Sequence, residues 1–270
     1  MKFLHDSIIE NNDFLAFAQE LAKSGGKILA RHFGKLSASQ IELKSVHDLV
    51  TDLDRQVEAM YVKEIKKNFP KHGIIGEEGG SKKAKSEFVW VLDPLDGTRN
   101  YTMQIPFYGT TVCLLRNQEP IVAVIYVPSV GKLYYATKNG GAFVNNHPIH
   151  VSDKRKLIKS SILYCHTPDE RGIRNAEKYS TELKVRASNA DRLRAAGPEM
   201  GLVAEGLAEA YLLDGLPLWD LAAGALLIKE AGGKVTDFTG KEWVPGDRNI
   251  LLSNGTEVHG EILKLLSSVL

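Results

Sequence analysis

The chain has 270 residues, of which 43% are hydrophobic and 25% are charged, and its formal net charge at pH 7 is +1. Such a chain can bury a large core as one domain or two close halves. A charge this close to zero gives no electrostatic basis for binding nucleic acid, so we expect no nucleic-acid partner. Cys113 and Cys165 lack metal-ligand spacing and fit a reducing compartment. With acids where a signal peptide would be apolar and no membrane-length apolar run, we expect a cytoplasmic protein without a membrane partner.

Apolar residues at helical spacing predict two helices in the first 70 residues. The first is marked by Phe14, Phe17, Leu21, Ile28 and Phe33, and we expect Gly25-Gly26 to interrupt it. The second is predicted over residues 52–69. We expect it to open within Asp48-Leu49-Val50-Thr51-Asp52-Leu53-Asp54, because Thr and Asp suit a helix N-terminus.

A short apolar strand is predicted over residues 87–92, and the segment that follows it is rich in carboxylates. It reads Asp93-Pro94-Leu95-Asp96-Gly97-Thr98-Arg99-Asn100. Pro94 fixes its own φ and Gly97 permits unusual backbone angles, so we expect a rigid turn. Asp-Gly alone indicates an ordinary turn. Two carboxylates beside Thr98 behind a buried strand favour a metal site instead.

Mg²⁺ seldom binds more than two carboxylates from one short segment, so a Mg²⁺ site needs acids from elsewhere in the chain. Two other places carry such acids. Glu77 and Glu78 lie in a glycine-rich loop after Ile74-Ile75, where plain surface charge is the alternative. Asp220 follows Trp219 at the start of an apolar helix that Gly232-Gly233 would close. We expect Asp220 to be the N-cap of this helix, and the same carboxylate could also bind a cation.

The order of the remaining predicted elements changes near residue 150, from consecutive strands to alternating strands and helices. Before it, strands at 107–115, 120–127 and 132–137 suggest an antiparallel meander. After it, strands are predicted at 161–165, 184–187, 208–213, 234–237 and 250–253. Helices are predicted at 172–183, 198–205 and 257–270.

Together these segments resemble the inositol monophosphatase family. The resemblance rests on the motifs at 48–54, 76–78, 93–100 and 219–233. It implies a layered α-β-α-β-α sandwich of the inositol monophosphatase and fructose-1,6-bisphosphatase type, mixing α/β and α+β features. It further implies one catalytic domain over residues 1–270, with halves at about 1–150 and 151–270. Members of the family are magnesium-dependent, often lithium-sensitive phosphomonoesterases, and a homodimer is their usual state.

The resemblance also implies roles for individual residues around two to three Mg²⁺ ions. The ligands of the first ion would be Glu77, Asp93 and the carbonyl of Leu95, and those of the second Asp93, Asp96 and Asp220. Glu77 would also touch a third, weaker ion. Asp54 and Thr98 would help Glu77 to activate the attacking water, while Gly97 and Thr98 would present amides to the substrate phosphate. No Gly-x-Ser-x-Gly nucleophile motif is present, so we expect direct attack by water.

The substrate pocket is where the chain departs from the family pattern. Arg194-Ala195-Ala196-Gly197 stands where many members carry Gly-Ser/Thr-Ala-Ala, and Arg99 replaces a usual Thr. Leu213 stands where inositol-specific members have Glu, with Asp214 one position later. We expect Arg194 and Asp214 to bind substrate. Arg192 or Arg194 could bind a second anionic group of the substrate. In that case the favoured substrate is a bisphosphate, such as fructose 1,6-bisphosphate or 3'-phosphoadenosine 5'-phosphate, instead of a small sugar or polyol monophosphate.

Two other functions stay open at this point. The chain could be a regulatory binding protein that kept the phosphatase fold, although each implied metal position carries a competent ligand. A Ca²⁺-binding structural module is disfavoured because the twelve-residue EF-hand spacing is missing. The role of Lys44, displaced by one residue from the family's lysine, is left open.

Overall fold

The computed structural model describes residues 2–37, 40–45, 48–82 and 86–270, with side chains described for 11–37, 40–42, 50–79 and 86–270. The side chain of Lys44 therefore lies outside the described part. The chain begins with helix α1 (Lys2–His32), a hairpin of β1 (Ile41–Ser45) and β2 (Asp48–Thr51), and helix α2 (Asp52–Asn68). Asp48 thus belongs to a strand, and Thr51 is the residue that caps α2.

Within the described residues, an eight-stranded sheet has the order β10-β9-β8-β7-β6-β5-β3-β4. Its strands are β3 (Gly73–Gly76), β4 (Gly80–Lys82), β5 (Phe88–Asp96), β6 (Gly109–Arg116), β7 (Glu119–Val127), β8 (Lys132–Thr137), β9 (Gly141–Val144) and β10 (His147–Pro148). The short helix α3 (Thr98–Thr102) lies between β5 and β6. Strands β5 to β10 pair antiparallel in sequence order, which confirms the predicted meander.

A five-stranded sheet follows, with the order β12-β11-β13-β15-β14. A 3₁₀ turn at Leu157–Lys159 precedes β11 (Ser161–His166), α4 (Glu170–Arg186), β12 (Asn189–Asp191), α5 (Ala196–Ala204), β13 (Ala210–Asp214), α6 (Leu218–Glu230), β14 (Lys234–Thr236), β15 (Ile250–Ser253) and α7 (Glu257–Val269). The strand predicted at 184–187 is wrong, because α4 continues to Arg186 and the strand begins at Asn189.

The two sheets are stacked between three layers of helices. Helices α1 and α2 cover the outer face of the first sheet, and α4 and α7 cover the outer face of the second. Between the sheets lie α5 and α6, whose buried residues form one apolar cluster with both inner faces. The predicted α-β-α-β-α order is therefore confirmed. None of the helices in the described part has the length and apolarity needed to span a bilayer.

Gly25-Gly26 does not interrupt α1, contrary to our prediction. The pair allows close packing instead. A Cβ atom on Gly25 would lie 2.0 Å from the hydroxyl oxygen of Tyr61 on α2, and one on Gly26 would lie 2.3 Å from the ring of Tyr126 on β7. The helix therefore approaches both neighbours at a distance that only glycine permits.

We expect Gly25→Ala to lower the free energy of unfolding by about 1–2 kcal/mol. Overpacking of a core costs about 1–3 kcal/mol, and the gain in helix propensity offsets up to about 1 kcal/mol of that. Tyr61 is fully buried and bonded to Thr110, so its ring cannot easily withdraw. Gly260→Ala on α7 is the matched control, since its Cβ would meet nothing within 4 Å, and it should stabilise the protein. Urea denaturation of both variants checks the pair; equal shifts would contradict the packing argument.

Candidate active site

The Asp93–Asp96 segment lies within strand β5, so the turn begins later than we predicted. Asp93 pairs with Thr111 and Asp96 with Gly109, with an irregular register between them. Two residues of β5, Pro94 and Leu95, thus lie opposite one of β6, Thr110, which is a bulge. Pro94 fits this bulge because it has no N–H to donate. The reversal occurs at Gly97, whose φ of 86° is left-handed. The strand therefore carries both carboxylates into the protein, where they are buried.

The buried carboxylates repel one another. Burial raises the pKa of Asp93 well above its usual value, and the charges of Glu77, Asp96, Asp220 and Asp54 raise it further. Burial also raises the pKa of Asp96, to about 6, although the backbone amides of Gly197 and Ala196 donate to its carboxylate. A set of oxygen donors with concentrated negative charge is what a hard divalent cation such as Mg²⁺ requires, so the residues present fit the metal.

The loop after β3 brings Glu77 and Glu78 to this cluster. Asp54, Glu77 and Glu78 each offer a carboxylate oxygen, and these atoms lie within 4.8 Å of one another. Glu58, a buried residue of α2, accepts hydrogen bonds from the backbone amides of Glu78, at 2.8 Å, and Gly79. Glu58 therefore fixes the loop, a role our sequence reasoning missed. Its signal was an acid one turn after Asp54, beside the apolar stripe of α2.

The predicted pair of Asp54 and Thr98 is in contact. The Thr98 hydroxyl lies 3.3 Å from Asp54 Oδ1 and 3.0 Å from the carbonyl oxygen of Leu95. Asp54 Oδ2 accepts from the amide and the hydroxyl of Thr51, at 2.8 and 2.5 Å, which completes a capping box at the start of α2. Asp54 is thereby held rigidly, with its second oxygen toward Thr98.

Asp220 lies in the first turn of α6 and is not its N-cap, so that prediction is wrong. Pro217 occupies the N-cap position, and its carbonyl accepts from the Asp220 amide at 3.2 Å. The helix begins earlier because Pro217 supplies the extended geometry that precedes a first turn. Asp220 lines the same cavity as Asp93 and Asp96, and its charge contributes to the raised pKa of Asp93.

One cavity of about 490 Å³ joins the predicted residues. Its lining includes Glu77, Asp93, Leu95, Asp96, Gly97, Thr98, Arg194 and Asp220, which sequence reasoning assigned to the site. Arg99, Cys165, His166, Pro168, Ile173, Arg192, Ala196 and Leu216 complete it. The cavity thus combines a group of carboxylates with three arginines, which suits an anion bound together with cations.

Asp214 does not line this cavity, which contradicts its predicted role in binding substrate. It is fully buried and accepts from Asn175 of α4 at 3.1 Å. Successive strand residues point to opposite faces, so the displacement by one position turns this acid to the outer face of the second sheet. Leu213, its neighbour, packs in the layer between the sheets.

His166 is a cavity residue that our sequence reasoning did not identify. Its Nδ1 lies 2.7 Å from the carbonyl oxygen of Thr167, and Arg192 Nη1 lies 2.7 Å from its Nε2. Nδ1 therefore carries the proton and Nε2 accepts from the guanidinium. Burial lowers the pKa of His166, and the charge of Arg192 lowers it further. The available signal was a histidine at the end of strand β11.

Comparisons with known proteins agree with this geometry. Residues 10–270 match the inositol monophosphatase family. Relatives include a Nus factor SuhB of Xylella fastidiosa, 38% identical over 82% of this chain and 80% of the relative. A fructose-1,6-bisphosphatase/inositol-1-monophosphatase of Aquifex aeolicus is 35% identical over 83% of this chain and 85% of the relative. The solved structure of an IMPase from Thermotoga maritima, 31% identical, superimposes with a TM-score of 0.87 over 95% of this chain and 98% of its own. The chain therefore belongs to the inositol monophosphatase family.

Proposed function

We propose that the protein is a Mg²⁺-dependent phosphatase that hydrolyses the phosphate monoester of a small sugar or polyol by direct attack of water. The observation that carries the proposal is the convergence of Asp93, Asp96, Glu77 and Asp220 on one cavity that also holds Thr98. Glu77, Asp93 and the carbonyl of Leu95 would hold one ion, and Asp93, Asp96 and Asp220 a second. A third ion would sit near Glu77. Ions held by these residues would neutralise the charge of the phosphate dianion.

Bound Mg²⁺ would lower the pKa of water and stabilise the leaving oxygen. The chain's own residues would orient the reactants. Glu77 would take up the proton of the attacking water, assisted by the Thr98 hydroxyl. Asp54 and the carbonyl of Leu95 are the two acceptors within reach of the Thr98 proton, and together they limit the directions in which that hydroxyl can point. The backbone amides of Gly97 and Thr98 would donate to the phosphate, and the left-handed φ of Gly97 allows this turn.

A bisphosphatase is the second candidate, because Arg99, Arg192 and Arg194 all line the cavity. The relative from Aquifex aeolicus bears a name that combines both activities, as does a further relative from Thermotoga maritima that is 31% identical over 95% of this chain. A regulatory role is a third candidate, which the Nus factor name of the Xylella fastidiosa relative supports. A regulatory role is compatible with catalysis, since it need not use the surface of the cavity.

The proposal also includes a homodimer, a cytoplasmic location, sensitivity to Li⁺ and no nucleic-acid partner. Sedimentation of the purified chain tests the first. Titration of Li⁺ against Mg²⁺ during phosphate release tests the third, and we expect inhibition.

The decisive experiment is a phosphate-release panel at saturating Mg²⁺. It compares inositol 1-phosphate, fructose 1,6-bisphosphate, histidinol phosphate and 3'-phosphoadenosine 5'-phosphate. We expect release from at least one substrate, its loss on chelation with EDTA, and inhibition by Ca²⁺, because Ca²⁺ accepts looser coordination than the octahedral geometry of Mg²⁺. Release that persists in EDTA would refute the metal-dependent mechanism.

A further inference from the structure

Of the three arginines in the cavity, Arg194 is the one available to a ligand. Arg192 is held in the wall: its Nη1 donates to His166 Nε2, and its Nη2 lies 3.3 Å from the His166 carbonyl oxygen and 3.7 Å from Cys165 Sγ. Arg99 also interacts with other residues. Arg194 is exposed, and within the described part of the chain its guanidinium makes no hydrogen bond or ion pair.

The backbone of Arg194 is fixed in an uncommon conformation. Its φ of 66° is left-handed, a region that residues other than glycine seldom adopt. Glu199 spans this residue, accepting from the amides of Leu193 at 2.9 Å and Ala195 at 3.0 Å. The Tyr211 hydroxyl donates to the same carboxylate at 2.9 Å, and Glu199 is fully buried. The left-handed turn is therefore built by hydrogen bonds on both sides of Arg194.

The next residues tie this turn to the metal-binding acids. The amides of Ala196 and Gly197 donate to the carboxylate of Asp96. Ala195 packs against Gly97. A Cβ atom added to Gly97 would lie 3.0 Å from the Cβ of Ala195. Arg194 is thus placed at a fixed position relative to the proposed phosphate site. The cavity of about 490 Å³ falls within the range of small-molecule sites and leaves room for a sugar and a second charged group.

We propose that Arg194, held in its left-handed turn by Glu199, binds a second phosphoryl group of the substrate, so that the protein prefers a sugar or polyol bisphosphate to the corresponding monophosphate. Arg194 is then a specificity-determining residue, and Glu199 is a positioning residue that acts through it. The inference rests on the proposed phosphatase activity. A guanidinium suits the role because its planar donors match phosphate oxygens in pairs.

The test compares fructose 1,6-bisphosphate with fructose 1-phosphate, which lacks the second phosphate. We expect kcat/KM of the unaltered protein to be at least about tenfold higher for the bisphosphate, a modest gain for one charge-assisted contact. Arg194→Ala should remove this ratio mainly by raising KM for the bisphosphate. Arg194→Gly should do the same in a turn that glycine adopts without strain. Arg155→Ala, an exposed arginine paired with Glu257, is the control and should preserve the ratio.

Glu199→Gln separates positioning from general destabilisation. Glutamine has one accepting oxygen for two amides, so the ratio should fall. In an Arg194→Ala background the same substitution should change the ratio no further. Equal losses for both substrates on Arg194→Ala would show that Arg194 binds the phosphate being cleaved, and would overturn the inference. A ratio at or below one in the unaltered protein would also overturn it. No Mg²⁺-dependent release from any substrate would instead refute the phosphatase proposal itself.

Discussion

Asp93→Asn should abolish catalysis and at the same time stabilise the metal-free protein. We expect phosphate release to fall by at least about a thousandfold, equivalent to about 4 kcal/mol of transition-state stabilisation, because the proposed sites for both ions lose their shared ligand. The free energy of unfolding without metal should rise, because Asp93 is buried and four other acids repel its charge. Asparagine can still accept from the Leu95 amide, as Asp93 does at 3.0 Å. Kinetics and thermal denaturation of the same preparation test both effects.

The matched control is Asp153→Asn, which removes an exposed carboxylate that does not line the cavity. It should change neither activity nor stability beyond about 0.5 kcal/mol. Saturating Mg²⁺ should raise the melting temperature of the unaltered protein and of the control, but raise that of Asp93→Asn much less. Activity of Asp93→Asn within tenfold of the unaltered protein would remove Asp93 from the set of ligands.

The sequence predicted most elements because periodicity is a local property. The alternation and spacing that mark α2, the meander and α6 are set by which face of each segment is buried. The Gly25-Gly26 pair was misread for the same reason. Judged by its neighbours in sequence, the pair predicts an interrupted helix. In the structure it packs against Tyr61 and Tyr126, which lie far away in sequence.

The sequence predicted which residues lie together where a family motif supplies the long-range information. Asp54 and Thr98 are 44 positions apart, and no local pattern joins them. Where this chain departs from the family motif, the predicted role of a residue was wrong. Asp214 turned out to face away from the cavity, because one position along a strand reverses the direction of a side chain. Glu58 was missed because it binds the amide of Glu78, 20 positions away, and Glu199 was missed because a single buried acid has no signature in sequence.

The stabilisation that Mg²⁺ confers should grow as the pH rises from about 4 to 7. The pKa of Asp96 is about 6 in the folded protein against 3.8 ordinarily, and that of Asp93 is raised as well. Since a raised pKa means that the folded state holds the proton more tightly, the associated stability is present below about pH 4. It is lost as the pH rises through the folded value. For Asp96 alone the difference of about two units corresponds to about 3 kcal/mol.

Mg²⁺ reverses this loss, because it replaces the protons and neutralises the carboxylates. The quantity to measure is therefore the difference in unfolding free energy with and without Mg²⁺, by urea denaturation at several pH values. Buried His259 affects the stability of the protein in the opposite direction. Burial lowers its pKa to about 4, so the stability that it contributes to the folded state is lost as the pH falls. His259 lies outside the cavity, hydrogen-bonded to Ser253 and Thr236, so its contribution cancels in the difference. We expect that difference to increase by at least about 3 kcal/mol across the range for the unaltered protein, and we expect a much smaller increase for Asp93→Asn. A difference that does not vary with pH would mean that the buried carboxylates are not the groups that Mg²⁺ binds.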